Sequence, residues 1–205
     1  MVLSLKPVDP VALDPAPASG NFAALRFGIE GPMLVMPRSF ADARGTFSET
    51  YSQHDFAALG IPECFVQDNQ SRSAAPGTVR GLHFQVPPRT QAKLVRVLRG
   101  AVLDIVVDLR RSSGSYGRHL AVGLDAAEGH QLYVPPGFAH GFCTLEPDTV
   151  VAYKVSAPFA PELDRCLAWD DPDLDLPWPF GPAAVVLSDR DRRAPKLRDL
   201  PACFD

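Results

Sequence analysis

The chain has 205 residues, 46% of them hydrophobic and 21% charged, with a formal net charge of −4 and a pI near 5.7. That length suits one domain with a substantial core, and the acidic balance leaves no basic footprint for nucleic acid. No apolar run reaches the roughly 18 residues that a membrane span needs, and Pro7, Pro10, Pro15 and Pro17 interrupt a start without a basic leader, so a cytoplasmic protein with no membrane partner is expected.

Residues 1–24 are rich in Pro, Ala and Asp and read as a Pro-rich N-terminal arm, mobile or loosely attached at an edge, with the domain proper at 25–205. From Phe27 onward, short strands alternate with Pro, Gly and Asp turns. Strands are predicted at 33–36 and 46–51. A helix follows over 52–60, with Ser52 as cap, Asp55 three residues on and Gly60 as stop. Further strands are predicted at 64–69, 79–85, 93–98, 102–109, 120–124, 131–134, 141–145 and 150–155. Ten short strands with no βαβ rhythm point to an all-β sandwich or barrel. Cys64, Cys143, Cys166 and Cys203 are widely spaced with no CxxC pair, as expected of reduced, mostly buried thiols.

The strand at 102–109 places Leu103, Ile105, Val107 and Leu109 on one face and Val102, Asp104, Val106 and Asp108 on the other. The second face is either solvated or, inside a double-sheet barrel, points two acids into a cavity or its rim. In 79–85, strict alternation puts Arg80, Leu82 and Phe84 on one face and Val79, Gly81, His83 and Gln85 on the other. His83 thus has a glycine beside it, which leaves room for something to approach. His140 follows the Pro135-Pro136-Gly137 turn. Two histidines on separate strands raise the question of a metal, but no HxH pair occurs and Gln85 stands two residues after His83, so no metal site is expected.

The strings Phe40-Ala-Asp-Ala-Arg-Gly-Thr-Phe-Ser-Glu49, Phe65-Val-Gln-Asp-Asn69, Arg80-Gly-Leu-His-Phe-Gln85 and Ala92-Lys-Leu-Val-Arg96 carry a resemblance. Pro136-Gly-Phe-Ala-His-Gly-Phe142, Tyr153-Lys154, Trp169-Asp-Asp-Pro172, Trp178-Pro179 and Leu187-Ser-Asp-Arg-Asp191 continue it in the same order. Over about residues 30–197 the chain resembles the dTDP-4-dehydrorhamnose 3,5-epimerase family. The resemblance implies a cupin-like double-stranded β-helix (jelly roll), a homodimer, a dTDP-linked 4-keto-6-deoxy sugar as substrate, and no cofactor.

Such chemistry needs a base on one face of the sugar, an acid on the other and stabilisation of the enolate oxygen between them. Imidazole suits the base because its ordinary pKa is near 6.5. The resemblance implies that His83 is that base and that Asp191 orients it, with Asp189 the rival two residues earlier. It implies Tyr153 as the acid, although alternation with Val151 and Val155 also fits a core tyrosine. Lys93 would face the enolate oxygen, with His140 nearby; a surface cation on an edge strand is the alternative for Lys93. Arg44, Glu49, Gln67, Asp68, Asn69 and Arg80 match positions that hold nucleotide and sugar, arginine's planar fork suiting a diphosphate. Phe159 stands where a thymine-stacking tyrosine is common. Asp164 stands where a longer Glu is usual, and Arg190 where a Lys precedes the base's partner. The competing readings are a mono-epimerase on a related nucleotide sugar, a metal-dependent cupin oxygenase and a non-catalytic sugar-nucleotide binding module.

Overall fold

The computed structural model describes residues 14–15 and 18–205. In chain order the strands are β1 (Asp14–Pro15), β2 (Phe22–Arg26), β3 (Met33–Pro37), β4 (Ser39–Asp42), β5 (Gly45–Ser48), β6 (Gln67–Ser73) and β7 (Val79–Gln85). They continue with β8 (Lys93–Arg99), β9 (Ala101–Asp108), β10 (His119–Asp125), β11 (Gln131–Val134), β12 (Phe138–Thr144), β13 (Thr149–Val155) and β14 (Asp164–Cys166). The helices are short, α1 (Gln53–Ala58) and α2 (Asp189–Arg192). A seven-stranded sheet, β1-β2-β3-β11-β8-β13-β6, faces a five-stranded sheet, β10-β9-β12-β7-β14, and all pairings within them are antiparallel. This is the cupin-like jelly roll.

Every residue of β9 is buried, because both of its faces are covered. Val102 and Val106 pack between the sheets with Val95, Val97, Leu132, Phe142 and Val151. Leu103, Ile105 and Val107 pack outward under the C-terminal segment, against Leu167, Trp169, Leu174 and Leu200. Each such side chain contributes about 1.5–3 kcal/mol of apolar burial. The two acids of β9 are therefore not solvated. Asp108 accepts from the backbone N–H and guanidinium of Arg110 and from the hydroxyls of Ser113 and Ser115 at the strand's end. Asp104 points between the sheets.

The boundary expected at residue 24 falls inside β2, where Phe22 and Ala24 are buried against Phe56 and Leu59 of the α1 region. The folded domain therefore includes residues expected in the arm, and Asp14–Pro15 pairs with β2 at the sheet edge. Residues 1–13, 16 and 17 lie outside the described residues. Helix α1 starts where its cap predicts, Ser52 Oγ accepting from the Asp55 N–H. Strand β6 begins three residues later than predicted and runs on to Ser73, because its Gln-Asp-Asn-Gln-Ser-Arg-Ser sequence carries no apolar signal. Strand β14 and helix α2 carry too few residues for a periodicity. Of the cysteines, Cys143 and Cys166 are buried, Cys203 is half-buried and Cys64 is exposed; all four are free.

One irregularity sets the geometry of the interior. His140 pairs with His83 and Phe142 with Arg80, so Gly81 and Leu82 together stand opposite Gly141 alone. This β-bulge reverses the phase of β7. Val79, Leu82 and Phe84 share the outer core, whereas Arg80 and His83, expected on opposite faces, both turn inward. Gly81 has φ +113°, and a Cβ there would lie 2.7 Å from the His140 carbonyl oxygen. What the missing side chain admits is the backbone of β12. Gly81→Ala should therefore cost at least about 2 kcal/mol of stability, measured by denaturant unfolding; an unchanged midpoint would show that the bulge relaxes freely.

Candidate active site

A cavity of about 270 Å³ lies between the sheets. Arg80, His83, His140 and Phe142 enter it from the five-stranded sheet, and Ser71, Lys93 and Tyr153 from the seven-stranded sheet. Ser188, Arg190 and Asp191, from α2 and its cap, close one side.

His83 Nε2 lies 2.6 Å from Asp191 Oδ1, across 108 residues of sequence. Asp191 is presented by the first turn of α2, where Ser188 Oγ accepts from its N–H at 3.1 Å. Burial alone would raise the Asp191 pKa, but hydrogen bonds from His83, Ser188 and the Gly81 N–H outweigh it and hold the carboxyl below its ordinary range. An ionised Asp191 only accepts, so the neutral imidazole carries its hydrogen on Nε2 and its free lone pair on Nδ1. Asp189, the sequence rival, is exposed on the same turn.

A second histidine–carboxylate pair stands beside the first. His140 Nε2 lies 2.9 and 3.0 Å from the two oxygens of Asp104, and both residues are buried. Burial lowers the His140 pKa, Asp104 opposes that, and the charges of Lys93 and His83 add to the lowering. Lys93 is buried, and its Nζ donates to the His83 carbonyl at 3.1 Å. Burial brings its pKa down from 10.5 to about 8, against the pull of Asp164 and Asp104. Lys93 is thus an interior cation rather than a surface one. Tyr153 sits on β13, in the sheet opposite His83. Burial raises its phenol; Arg80 pulls the other way and Asp164 adds to the rise, so the hydroxyl stays protonated.

The remaining expected residues divide by position. Arg80 donates to Ser73 Oγ and the Arg72 carbonyl, which fixes its guanidinium at the cavity. Gln67, Asn69 and Ser71 form the less exposed row of β6, and Gln67 bonds to Asn69 and accepts from the Phe159 N–H. Phe159 is exposed beside it. Asp164 and Arg190 form an ion pair of 2.5 Å, so the short acid and the long base meet each other. Gln67, Asn69, Phe159 and Asp164 do not themselves line the cavity, and three further residues lie away from it. Asp68 lies on the outward row of β6, paired with Lys154, because alternation separates it from Gln67 and Asn69. Arg44 stands on the exposed β4–β5 hairpin, paired with Asp42, and Glu49 accepts from Asn21.

Asp104, Ser71, Phe142 and Ser188 were not foreseen as site residues. Alternation from Gln67 signals Ser71, and the Ser-x-x-Asp spacing of 188–191 signals the cap. Asp104 was legible as an inward acid, but its pairing with His140 needs the register of β9 against β12. Cys166 lies opposite His83 in the β14–β7 register, with no local signal of its own.

Residues 26–199 match the family model for dTDP-4-dehydrorhamnose 3,5-epimerase. The chain belongs to this family. It is 49% identical over 171 residues to the dTDP-4-dehydrorhamnose 3,5-epimerase of Sinorhizobium fredii, covering 83% of this chain and 87% of that one. It superposes with a TM-score of 0.84 and 37% identity on dTDP-6-deoxy-D-glucose-3,5-epimerase from Legionella pneumophila, solved in complex with dTDP-4-keto-L-rhamnose, covering 88% and 95% of the two chains. The family's enzyme from Bacillus anthracis, solved with TDP and PPi bound, gives a TM-score of 0.83 at 43% identity, covering 85% and 99%.

Membership makes the chain an isomerase, and a buried lysine in it is a cost to the fold. A lysine with a folded pKa near 8 against 10.5 binds its proton more weakly when folded. Stability from this group is complete above about pH 10.5 and is lost as pH falls through about 8. Lys93→Met should therefore raise stability at pH 7 by up to about 3 kcal/mol, with the gain shrinking above pH 8. Equal stability of the two proteins across that range would show that Lys93 is solvated.

Proposed function

We propose that the chain epimerises dTDP-4-dehydro-6-deoxyglucose at C3 and C5, giving dTDP-4-dehydro-L-rhamnose. The observation that carries this reading is the placement of His83 and Tyr153 on opposing sheets of one cavity, with the Lys93 ammonium entering between them.

A carbon beside a ketone gives up its proton only as the ketone oxygen takes up the negative charge. His83 removes the proton through Nδ1, and Asp191 stabilises the imidazolium that results. Lys93 meets the charge on the enolate oxygen, with His140, held by Asp104, as a neutral neighbour. Tyr153 delivers a proton to the other face, which inverts the centre. Each inversion moves one proton to His83 and one from Tyr153, and exchange with solvent restores both. The carbon skeleton undergoes no net oxidation, so the reaction needs no redox cofactor. Arg80 and the Arg190–Asp164 pair suit the diphosphate end, and Phe159 offers a ring to the base.

In deuterated water, the keto sugar should acquire label at both C3 and C5, followed by NMR. Label at one carbon alone would reduce the activity to mono-epimerisation, and none at either would overturn the enzyme reading. His83→Ala should abolish exchange, whereas Tyr153→Phe should exchange protons without inverting the centre.

A homodimer fits the residues left outside the cavity. The β4–β5 hairpin presents Phe40, Phe47 and Arg44 to solvent, with Phe47 69% exposed. Large apolar groups on a projecting hairpin suit burial against a second copy. Sedimentation equilibrium should give twice the chain mass, and Phe47→Asp should shift it toward one; a monomeric wild type would remove this reading. Four free cysteines suit a reducing, cytoplasmic setting. Among the described residues no helix is long and apolar enough to cross a membrane.

A further inference from the structure

Cys166 has no part in the proton transfers and does not line the cavity, yet it lies behind His83 and Asp191. Its thiol, an imidazole nitrogen of His83 and a carboxylate oxygen of Asp191 all lie within 4.8 Å of one another. The three residues come from β14, β7 and α2, so the trio is a product of tertiary structure and follows no metal-binding spacing. Sulfur, imidazole nitrogen and carboxylate oxygen together match a borderline-soft divalent cation. Donor atoms sharing a tetrahedral zinc ion stand about 3–3.6 Å apart, given bonds of about 2.0–2.3 Å, so closure needs movements on the order of 1 Å. Rotation of the short cysteine side chain supplies movement of that size. The neighbouring cation, Arg190, is already neutralised by Asp164. Cys166 and Asp191 are buried, while His83 opens onto the cavity, which leaves the fourth position free for water.

We propose that His83, Cys166 and Asp191 form an inhibitory site for Zn²⁺ or Cd²⁺. Binding releases the Cys166 thiol proton to solvent, forms a thiolate–metal bond and shifts the imidazole hydrogen from Nε2 to Nδ1, so that the Nε2 lone pair faces the ion and the basic lone pair is lost. Thiolate and carboxylate together balance the charge of the cation. The binding half of this inference stands on geometry alone; the inhibition half rests on His83 as the base. Burial keeps the free thiol protonated, with Asp191 and Asp164 adding to the effect and Arg190 opposing it, so Cys166 is a poor nucleophile and oxidation target.

The test titrates the full-length protein with CdCl2 and follows the ultraviolet thiolate-to-cadmium band, with ZnCl2 followed by competition with a chromophoric chelator. One equivalent per chain should bind, and C3/C5 exchange should fall in step with occupancy and return with EDTA. Cys166→Ser should keep its metal-free rate within about twofold, lose the band and become roughly tenfold or more less sensitive to either ion. Cys64→Ser, at the exposed cysteine, should change none of this. A band and inhibition that survive Cys166→Ser would overturn the site, and so would the lack of any band. A stoichiometric band that depends on Cys166 with activity unaffected would overturn the inhibition. A wild type without exchange but with the band would sink the epimerase reading and leave the metal site standing.

Discussion

At the bulge between β7 and β12 two backbones meet closer than any side chain at residue 81 would permit. Arg80, His83 and His140 take their positions from that contact. Because Gly81 and Leu82 oppose one residue, Arg80 and His83 turn to the same side and share a cavity that regular alternation would have split between two faces. The same approach sets His140 against His83 in register and offers the Gly81 N–H to Asp191. One missing Cβ thus fixes the inward turn of His83, one of the donors that hold Asp191, and the register of His140 against His83.

The second requirement is that base and acid stand on different sheets. Inversion needs proton transfer at both faces of one carbon, and a single sheet presents only one surface to a bound ligand. A sandwich of two sheets supplies two surfaces about 10 Å apart, with the cavity between them. The jelly roll therefore does more than enclose the cavity: in the proposed reaction its two layers, carrying His83 and Tyr153, are the two sides from which protons are exchanged. β9 shows what this demands of the interior. Its inward face carries two buried acids: Asp108 is met by Arg110, Ser113 and Ser115 at the strand's end, while Asp104 bonds to His140 through Oδ2 and leaves Oδ1 without a hydrogen bond of its own.

Much of this was legible in the sequence. The strand spacing and the absence of a βαβ rhythm gave the all-β class, and β7, β8, β9, β11 and β13 lie within a residue or two of prediction because each carries an apolar row. Strand β6 was truncated for the opposite reason: Gln67 to Ser73 is polar on both faces, one toward the cavity and one toward solvent. Three features were out of reach of pattern. The bulge at Gly81 changes phase without changing composition. The pairing of His83 with Asp191 spans 108 residues. Cys166 is set opposite His83 by a three-residue strand. The run Gln67-Asp68-Asn69 shows the reverse error, since a motif treated as a unit contains a residue, Asp68, that alternation sends to the other face.

The charges inside the cavity explain how two departures from the family pattern coexist. Arg80, Lys93 and Arg190 bring three cations into a space that Asp164 and Asp191 balance from one side and Asp104 from another. Asp164 is shorter than the usual Glu and Arg190 longer than the usual Lys, and the two meet at 2.5 Å. One side chain's lost reach is restored by the other's, and the pair keeps its charge while gaining a guanidinium fork. Asp164 also opposes the burial that lowers the Lys93 pKa, so the Asp164–Arg190 pair bears on the interior cation as well as on the end of the cavity proposed for the diphosphate.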